Sequence, residues 1–67
     1  MALLFGTIRV CKIEKQKDEL KLYGDQPYFY VVAPLNTKVE VGDKIVFHCI
    51  FTGYFGIFQR VERDLIN

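Results

Sequence analysis

The stretch from residue 39 to residue 51, VEVGDKIVFHCIF, constrains the fold of this chain more than any other. Gly42 and Asp43 predict a turn, because glycine tolerates positive φ and an aspartate side chain bonds its own main chain. After the turn, apolar side chains fall at every second position, at Ile45, Phe47, Cys49 and Phe51. The intervening positions are mixed in character. A period of two with one apolar face predicts a β-strand that packs on a core.

Length and composition limit the chain to one small folded domain over residues 1–67. Of the 67 residues, 51% are hydrophobic and 15% are aromatic, which is too apolar for a disordered chain. The formal net charge is +1, with acids and bases mixed along the sequence. The chain therefore lacks the long-range positive field of strongly basic nucleic-acid binders, and any contact with a polyanion must be local.

The rest of the chain divides into short segments of strand-forming residues between turn signals. The charged stretch KQKDE, the Gly24-Asp25 pair, Pro34 and the Thr52-Gly53 pair mark the boundaries. The predicted strands cover residues 1–14, 20–23, 28–33, 44–51 and 54–62. Gly6 inside the first strand predicts a bend or a close backbone approach there, and the last residues, 63–67, are expected to form a helical turn or to fray.

Five short strands without a helix-period segment or a repeat predict an all-β fold. An SH3-like roll and a β-barrel both satisfy this pattern. For 67 residues, the five-stranded antiparallel Greek-key barrel of the OB type fits the strand count best. This OB-like small barrel is the expected fold.

Cysteine and histidine usage argues against a metal site or other cofactor. The chain has only Cys11, Cys49 and His48 as soft ligands, without a CxxC pair, so it cannot assemble a zinc site alone. No positively charged segment precedes an apolar run, and no apolar run approaches the roughly 20 residues of a membrane helix. We expect a cytoplasmic protein whose cysteines are reduced, although a cross-link between neighbouring strands on oxidation is the alternative.

The sequence also predicts that the protein is not an enzyme. It contains no serine, so the conceivable dyad is Cys11 or Cys49 with His48, and Cys49 and His48 are adjacent on a predicted strand. Adjacent strand residues point to opposite faces, so they cannot form a dyad. The carboxylates of the predicted turns are explained by solvation or by bonds to the main chain.

Three segments resemble the cold-shock domain family. Residues 6–9, Gly-Thr-Ile-Arg, resemble its opening Gly-Thr-Val-Lys, and residues 41–47 are similar to its Gly-Gln-Lys-Val-Glu-Phe segment. Phe29 falls where the second ribonucleoprotein motif of the family carries a phenylalanine. The order and spacing agree along nearly the whole chain. The resemblance implies an OB-type barrel that binds single-stranded RNA or DNA.

The chain departs from the family at several stacking positions. Val10 stands where the family has an exposed tryptophan, and residues 20–24, LKLYG, replace the first ribonucleoprotein motif. In the second motif, Val31 and Val32 stand in place of the histidine and the last phenylalanine. Phe29 is therefore the one family-like aromatic position that this motif retains.

Capture of a single strand requires flat aromatic faces for the bases and cationic side chains along the backbone. The predicted nucleic-acid-binding residues are Arg9, Lys12, Lys21, Tyr23, Phe29, Tyr30 and Arg60. Strand alternation leaves their directions open: if Phe29 points outward, then Tyr28 and Tyr30 point inward. Most other aromatic side chains are expected to fill the core, namely Phe5, Phe47, Phe51, Phe55 and Phe58.

The last predicted hairpin suggests an alternative function. Residues 50–58, IFTGYFGIF, carry apolar side chains on both strand parities around Gly53 and Gly56. A barrel of this size cannot easily bury both faces. The alternative is therefore a protein-binding or homodimeric module that uses this hairpin as its interface.

Overall fold

A computed structural model of the protein describes residues 3–50 and 55–62. Every regular element in these two ranges is a strand, which confirms the predicted all-β class. The strands are β1 (Leu3–Arg9), β2 (Lys12–Lys15), β3 (Glu19–Tyr23), β4 (Tyr30–Pro34), β5 (Lys44–Ile50) and β6 (Phe55–Glu62). The predicted turn at Thr52-Gly53 and the predicted end of the chain at 63–67 lie outside the described residues. Within those residues, no helix has the length and apolar character needed to span a membrane.

The six strands form one sheet in the order β1-β5-β6-β4-β3-β2. Neighbouring strands are antiparallel except β4 and β6, which pair in parallel. The edge strands β1 and β2 do not pair with each other in the part of the chain that the structure describes. The predicted five-stranded antiparallel barrel is therefore wrong in strand count and in the direction of one strand pair, and the described sheet is not a closed barrel.

The extra strand arises because the predicted first strand changes its hydrogen-bonding partner midway. The main-chain amide of Val10 donates to Asp43 O at 2.8 Å, next to β5, whereas the amide of Cys11 donates to Tyr23 O at 2.7 Å, on β3. The inward side chains before the break are at the even-numbered positions Ile8 and Val10, whereas the inward side chain of β2 is at the odd-numbered position Ile13. A continuous alternation cannot place all three side chains inward, so the strand breaks at Val10 and Cys11. The predicted bend at Gly6 is not where this break occurs.

The core lies on the inner face of this curved sheet. Its buried side chains come from three strands, β3, β4 and β5, and from the β1–β2 junction. They are Val10, Leu20, Leu22, Val31, Ala33, Ile45, Phe47 and Cys49. Strands β3, β4 and β5 each contribute alternate residues. The period of two predicted for β5 is confirmed, because Ile45, Phe47 and Cys49 are all buried.

An irregularity in β6 places both Phe58 and Val61 on the inner face. Phe58 lies opposite Phe47, but the next register pair joins Arg60 to Val46, which leaves Gln59 as an extra residue. Such a β-bulge reverses the parity of the residues that follow it. Val61 therefore packs against the core although it is three positions from Phe58.

The ring of Phe47 occupies the space above two glycines on neighbouring strands. A Cβ atom on Gly56 would lie 2.7 Å from Cδ1 of Phe47, and one on Gly6 would lie 2.9 Å from Cζ. Phe29 packs on the same ring, with a centroid separation of 5.2 Å. The two glycines are thus needed for close packing under an aromatic side chain, not for unusual backbone angles.

This packing predicts that Gly56→Ala destabilises the domain by about 1–3 kcal/mol, because the added methyl group overpacks the core against Phe47. Urea denaturation followed by circular dichroism measures the change. Gly24→Ala is the matched control, since a Cβ there would have its nearest neighbour at 3.5 Å, an ordinary contact. Equal destabilisation by both variants would contradict the role assigned to the Phe47 ring.

Candidate nucleic-acid interface

The outer face of the sheet carries three aromatic side chains in one register row. Tyr23 on β3 lies opposite Tyr30 on β4, and Tyr30 lies opposite Phe55 on β6. The ring centroids of Tyr23 and Tyr30 are 5.8 Å apart, and those of Tyr30 and Phe55 are 5.9 Å apart with planes only 12° from parallel. We call Tyr23, Tyr30 and Phe55 the aromatic row. It forms an apolar strip across three adjacent strands.

Two lysines lie against the rings of this row. Nζ of Lys12, on β2, is 5.4 Å from the ring centroid of Tyr23, and Nζ of Lys21, on β3, is 4.8 Å from that of Tyr30. Both distances are within the range of cation–π attraction. The Lys12 side chain is 66% exposed, so its ammonium group remains accessible to an anion in solvent. The row therefore combines stacking surface with positive charge.

Glu14 is the one carboxylate in contact with this surface among the described residues. Its Oε1 accepts a hydrogen bond from the Tyr23 hydroxyl at 3.4 Å and another from Nε2 of Gln16 at 3.1 Å. Its Oε2 lies 4.0 Å from Nζ of Lys12. Glu14 orients the edge of the row and partly neutralises Lys12. The sequence did not single it out, because an exposed Lys-x-Glu pair is common on strand surfaces.

A shallow pocket of about 300 Å³ extends the row at its β3 end. Lys12 and Tyr23 line one side of it, and the connection after β3 lines the other with Gly24, Asp25 and Pro27. The pocket adjoins a ring and an ammonium group. It continues the apolar strip beyond Tyr23 without a further aromatic side chain.

Of the predicted site residues, Lys12, Lys21, Tyr23 and Tyr30 are brought together, whereas Phe29 lies elsewhere. The Phe29 amide bonds back to Gln26 O at 3.3 Å, and its ring packs on Phe47 at the inner face. Of the two orientations that the sequence left open, the structure has Tyr30 outward and Phe29 inward. Tyr28 is 74% exposed but belongs to the connection before β4 and is not part of the row.

The two predicted arginines lie on other parts of the sheet. Arg9 ends β1 opposite Lys44, and its Nη1 donates to Gly42 O at 2.6 Å. Arg60 follows the bulge in β6 and faces Val46. Both side chains are exposed, but neither contacts the aromatic row. Among residues 3–50 and 55–62, the two lysines are therefore the cationic groups in contact with the row.

The expectation that Phe5 and Phe55 fill the core is wrong. Phe5 is 65% exposed, and Phe55 is 43% exposed because the buried position beside it belongs to Gly56. Phe47 is buried and Phe58 packs on the core, as expected, whereas Phe51 lies outside the described residues. The outward direction of Phe55 could have been predicted from Gly56. A glycine that faces inward under a ring from the next strand leaves its neighbour in the strand facing outward.

The alternative interface at the last hairpin is described only in part. Phe55 and Ile57 are its exposed apolar residues in β6, whereas residues 51–54 lie outside the described ranges. Phe55 also belongs to the aromatic row. The described half of the hairpin therefore merges with the candidate nucleic-acid interface.

The residues considered for nucleophilic or metal chemistry are separated in space. Cys49 is buried on the inner face, whereas His48 faces outward with Nδ1 accepting from Nε2 of Gln59. Both cysteines are free thiols, with Cys11 exposed and Cys49 buried. In residues 3–50 and 55–62, no group of three or more His, Cys, Asp or Glu residues is arranged to hold a metal ion.

Comparison with protein-family models, with curated proteins and with solved structures finds no match to this chain. The function is therefore inferred from the aromatic row and from the charges around it.

The contact between Lys21 and Tyr30 predicts a measurable coupling energy. A double-mutant cycle of Lys21→Met and Tyr30→Leu should give about 0.5–1 kcal/mol of coupling in the free energy of unfolding, as expected for a partly exposed cation–π pair. Lys15→Met is the matched control, because Lys15 lies opposite Leu20 at the far end of β2. A coupling of zero for Lys21, or an equal coupling for Lys15, would contradict this contact.

Proposed function

We propose that the outer face of β2, β3, β4 and the start of β6 binds single-stranded nucleic acid, either RNA or DNA. The observation that carries the proposal is the aromatic row with the ammonium groups of Lys12 and Lys21 against its rings. Bases stack on such rings with about 1–3 kcal/mol each, largely independent of sequence. The two lysines are within reach of the phosphates that accompany stacked bases.

The orientation of the rings supports stacking of successive bases. The ring planes of Tyr30 and Phe55 are 12° from parallel, and that of Tyr23 is tilted by 53° from that of Tyr30. A base on Tyr30 and a base on Phe55 would therefore lie in similar planes, and the next base would turn toward the pocket beside Tyr23. With two lysines against the row in the described part of the chain, binding should be weak and only moderately dependent on salt.

The proposal includes a domain of the OB type that resembles the cold-shock family. If β1 and β2 are counted as two halves of one bent strand, the six strands become five, and both sheet edges belong to the same strand. OB folds are partly open Greek-key barrels that bind oligonucleotides on the face of their second and third strands. In this numbering those strands are β3 and β4, which carry Lys21, Tyr23 and Tyr30.

The proposed activity is binding without catalysis. The separation of Cys49 from His48 across the sheet supports this view, because a nucleophile and its base must be within hydrogen-bonding reach. We also propose a cytoplasmic location, which the two free thiols support, since disulfides are typical of oxidising compartments.

Titration of a labelled single-stranded oligonucleotide, followed by fluorescence anisotropy, tests the proposal. We expect salt-sensitive binding with a slope of log K against log[salt] of about −1.4, from two lysine contacts at about −0.7 each. Tyr30→Ala should weaken binding by about 5- to 150-fold, which corresponds to the loss of one stacking platform.

Tyr28→Ala is the matched control, because Tyr28 is an exposed tyrosine two positions from Tyr30 and outside the row. It should leave the affinity within about twofold of the unmodified protein, as expected when no stacking platform is lost. No complex at tens of micromolar protein, or equal losses for the two tyrosine variants, would reject the proposal.

A second prediction concerns the carboxylate beside Lys12. Glu14→Gln should tighten oligonucleotide binding by about two- to fivefold, because it removes a negative charge about 4 Å from that ammonium group in an exposed setting. Glu62→Gln is the control, since Glu62 pairs at 3.9 Å with Lys44 on another part of the sheet. Weaker binding by Glu14→Gln would mean that Glu14 contributes to the site instead of opposing phosphate.

A further inference from the structure

The edge strand β1 has features of a strand that pairs with another chain. It is seven residues long, and among the described residues it pairs only with β5. Its second main-chain edge therefore has hydrogen-bonding groups available to an added strand from Leu3 to Thr7, whereas Gly24 lies against Ile8 and the main-chain oxygen of Arg9. Proteins commonly protect such edges with charges, prolines or bulges, and Leu3 to Ile8 contains none of these. The opposite edge strand, β2, is only four residues long and reads Lys-Ile-Glu-Lys.

Large apolar side chains are exposed on both faces of β1. Leu4 is 64% exposed on the inner parity, and Phe5 is 65% exposed on the outer parity, where its ring lies 5.9 Å from that of His48. A ligand on one face would cover only one of them. A strand added beside β1 would cover both, because its own side chains alternate between the two faces.

An apolar pocket of about 330 Å³ opens on the inner side of the same edge. Its lining includes Leu4, Gly6 and Ile8 from β1 together with Phe29, Phe47 and Cys49. Thus β1 presents main-chain hydrogen bonds beside a site for apolar side chains. This combination is typical of strand addition, in which the main chain supplies affinity and alternate side chains fill pockets.

We propose that the occupant of this edge is a second copy of the chain, with the two β1 strands antiparallel about a two-fold axis at Gly6. Gly6 is the midpoint of Leu3–Arg9, and this register pairs Leu4 to Ile8 with the same residues of the partner. Arg9 is not included, because Gly24 lies against its main-chain oxygen. It places Leu4 opposite the partner's Ile8 on the inner face. On the outer face it places Phe5 opposite the partner's Thr7.

Charge favours the self-pairing. The one charged residue of β1, Arg9, lies outside the paired residues Leu4 to Ile8, so no like charges oppose each other along the ladder. Because the two-fold axis passes through Gly6, even-numbered residues pair with even-numbered residues of the partner. Inner side chains therefore meet inner side chains, and both are apolar. The interface is isologous, and it consumes both free β1 edges, which limits the assembly to a dimer.

The dimer does not rest on the proposed nucleic-acid function. In the sheet order, β5 and β6 separate β1 from β4 and β3, which carry the two tyrosines of the aromatic row. A dimer that binds no oligonucleotide, or a monomer that binds one, would therefore be distinguishable results.

Sedimentation equilibrium across a concentration series, with unmodified protein, tests the dimer. We expect a reversible monomer–dimer equilibrium without larger species. Phe5→Glu and Thr7→Lys, both at exposed positions, should each raise the dimer dissociation constant at least about tenfold. Val41→Glu is the control at a 61% exposed apolar site outside β1, and it should leave the constant unchanged.

The double variant Phe5→Glu with Thr7→Lys tests the register. In the two-fold arrangement, each introduced carboxylate faces the partner's introduced ammonium group, so dimerisation should recover relative to either single variant. Circular dichroism confirms that each variant is folded. A monomer at all concentrations, single variants that still dimerise normally, or a double variant weaker than both singles would overturn the proposal.

Discussion

The ring of Phe47, held over Gly6 and Gly56, is the contact on which the arrangement of the sheet depends. It joins the three adjacent strands β1, β5 and β6 through one side chain, and neither glycine position has space for a Cβ beside the ring. Because strand side chains alternate, a glycine fixed inward turns both of its neighbours outward. The exposure of Phe5 beside Gly6 and of Phe55 and Ile57 around Gly56 follows from this packing. The apolar outer surface is therefore a consequence of how the core is filled.

Two local irregularities let a 67-residue chain keep a single inner core. At Val10 and Cys11 the first predicted strand leaves β5 and joins β3, which brings Ile13 inward after Ile8 and Val10. In β6 the bulge at Gln59 does the same for Val61. Each irregularity disrupts the regular strand pairing at one position but allows a further apolar side chain to point inward. In so small a domain that exchange is favourable, because few other residues are available to close the core.

The alternation of β5 and the Gly, Pro and Asp boundaries were enough to predict the strand class and most strand positions. They did not predict the break at Val10, because both halves of residues 1–14 have strand-forming residues and the change of partner is a tertiary event. Tyr30 and Phe29 are adjacent and both aromatic, so sequence could not determine which faces out. The turn from Gln26 to Phe29 and the space beside Phe47 determine it. Lys12, Lys21, Tyr23 and Tyr30 were identified from residue type alone, whereas the positions of Phe55 and Glu14 depend on strand register.

The two exposed apolar surfaces differ in chemistry, and this difference separates the ligands they suit. The tyrosine rings of the aromatic row have lysine ammonium groups against them, and one hydroxyl bonds to Glu14, so the row is amphipathic. Such a surface favours a partner that has both flat rings and negative charge. Leu4 and Phe5 on β1 have no charged side chain of their own strand beside them before Arg9, and they flank an unpaired main-chain edge in the described structure. That surface favours a partner with peptide groups and apolar side chains. A polyanion gains little at β1 because the strand offers it no cation before Arg9, and an apolar strand gains little at the row because Lys12 and Lys21 would lose solvation there.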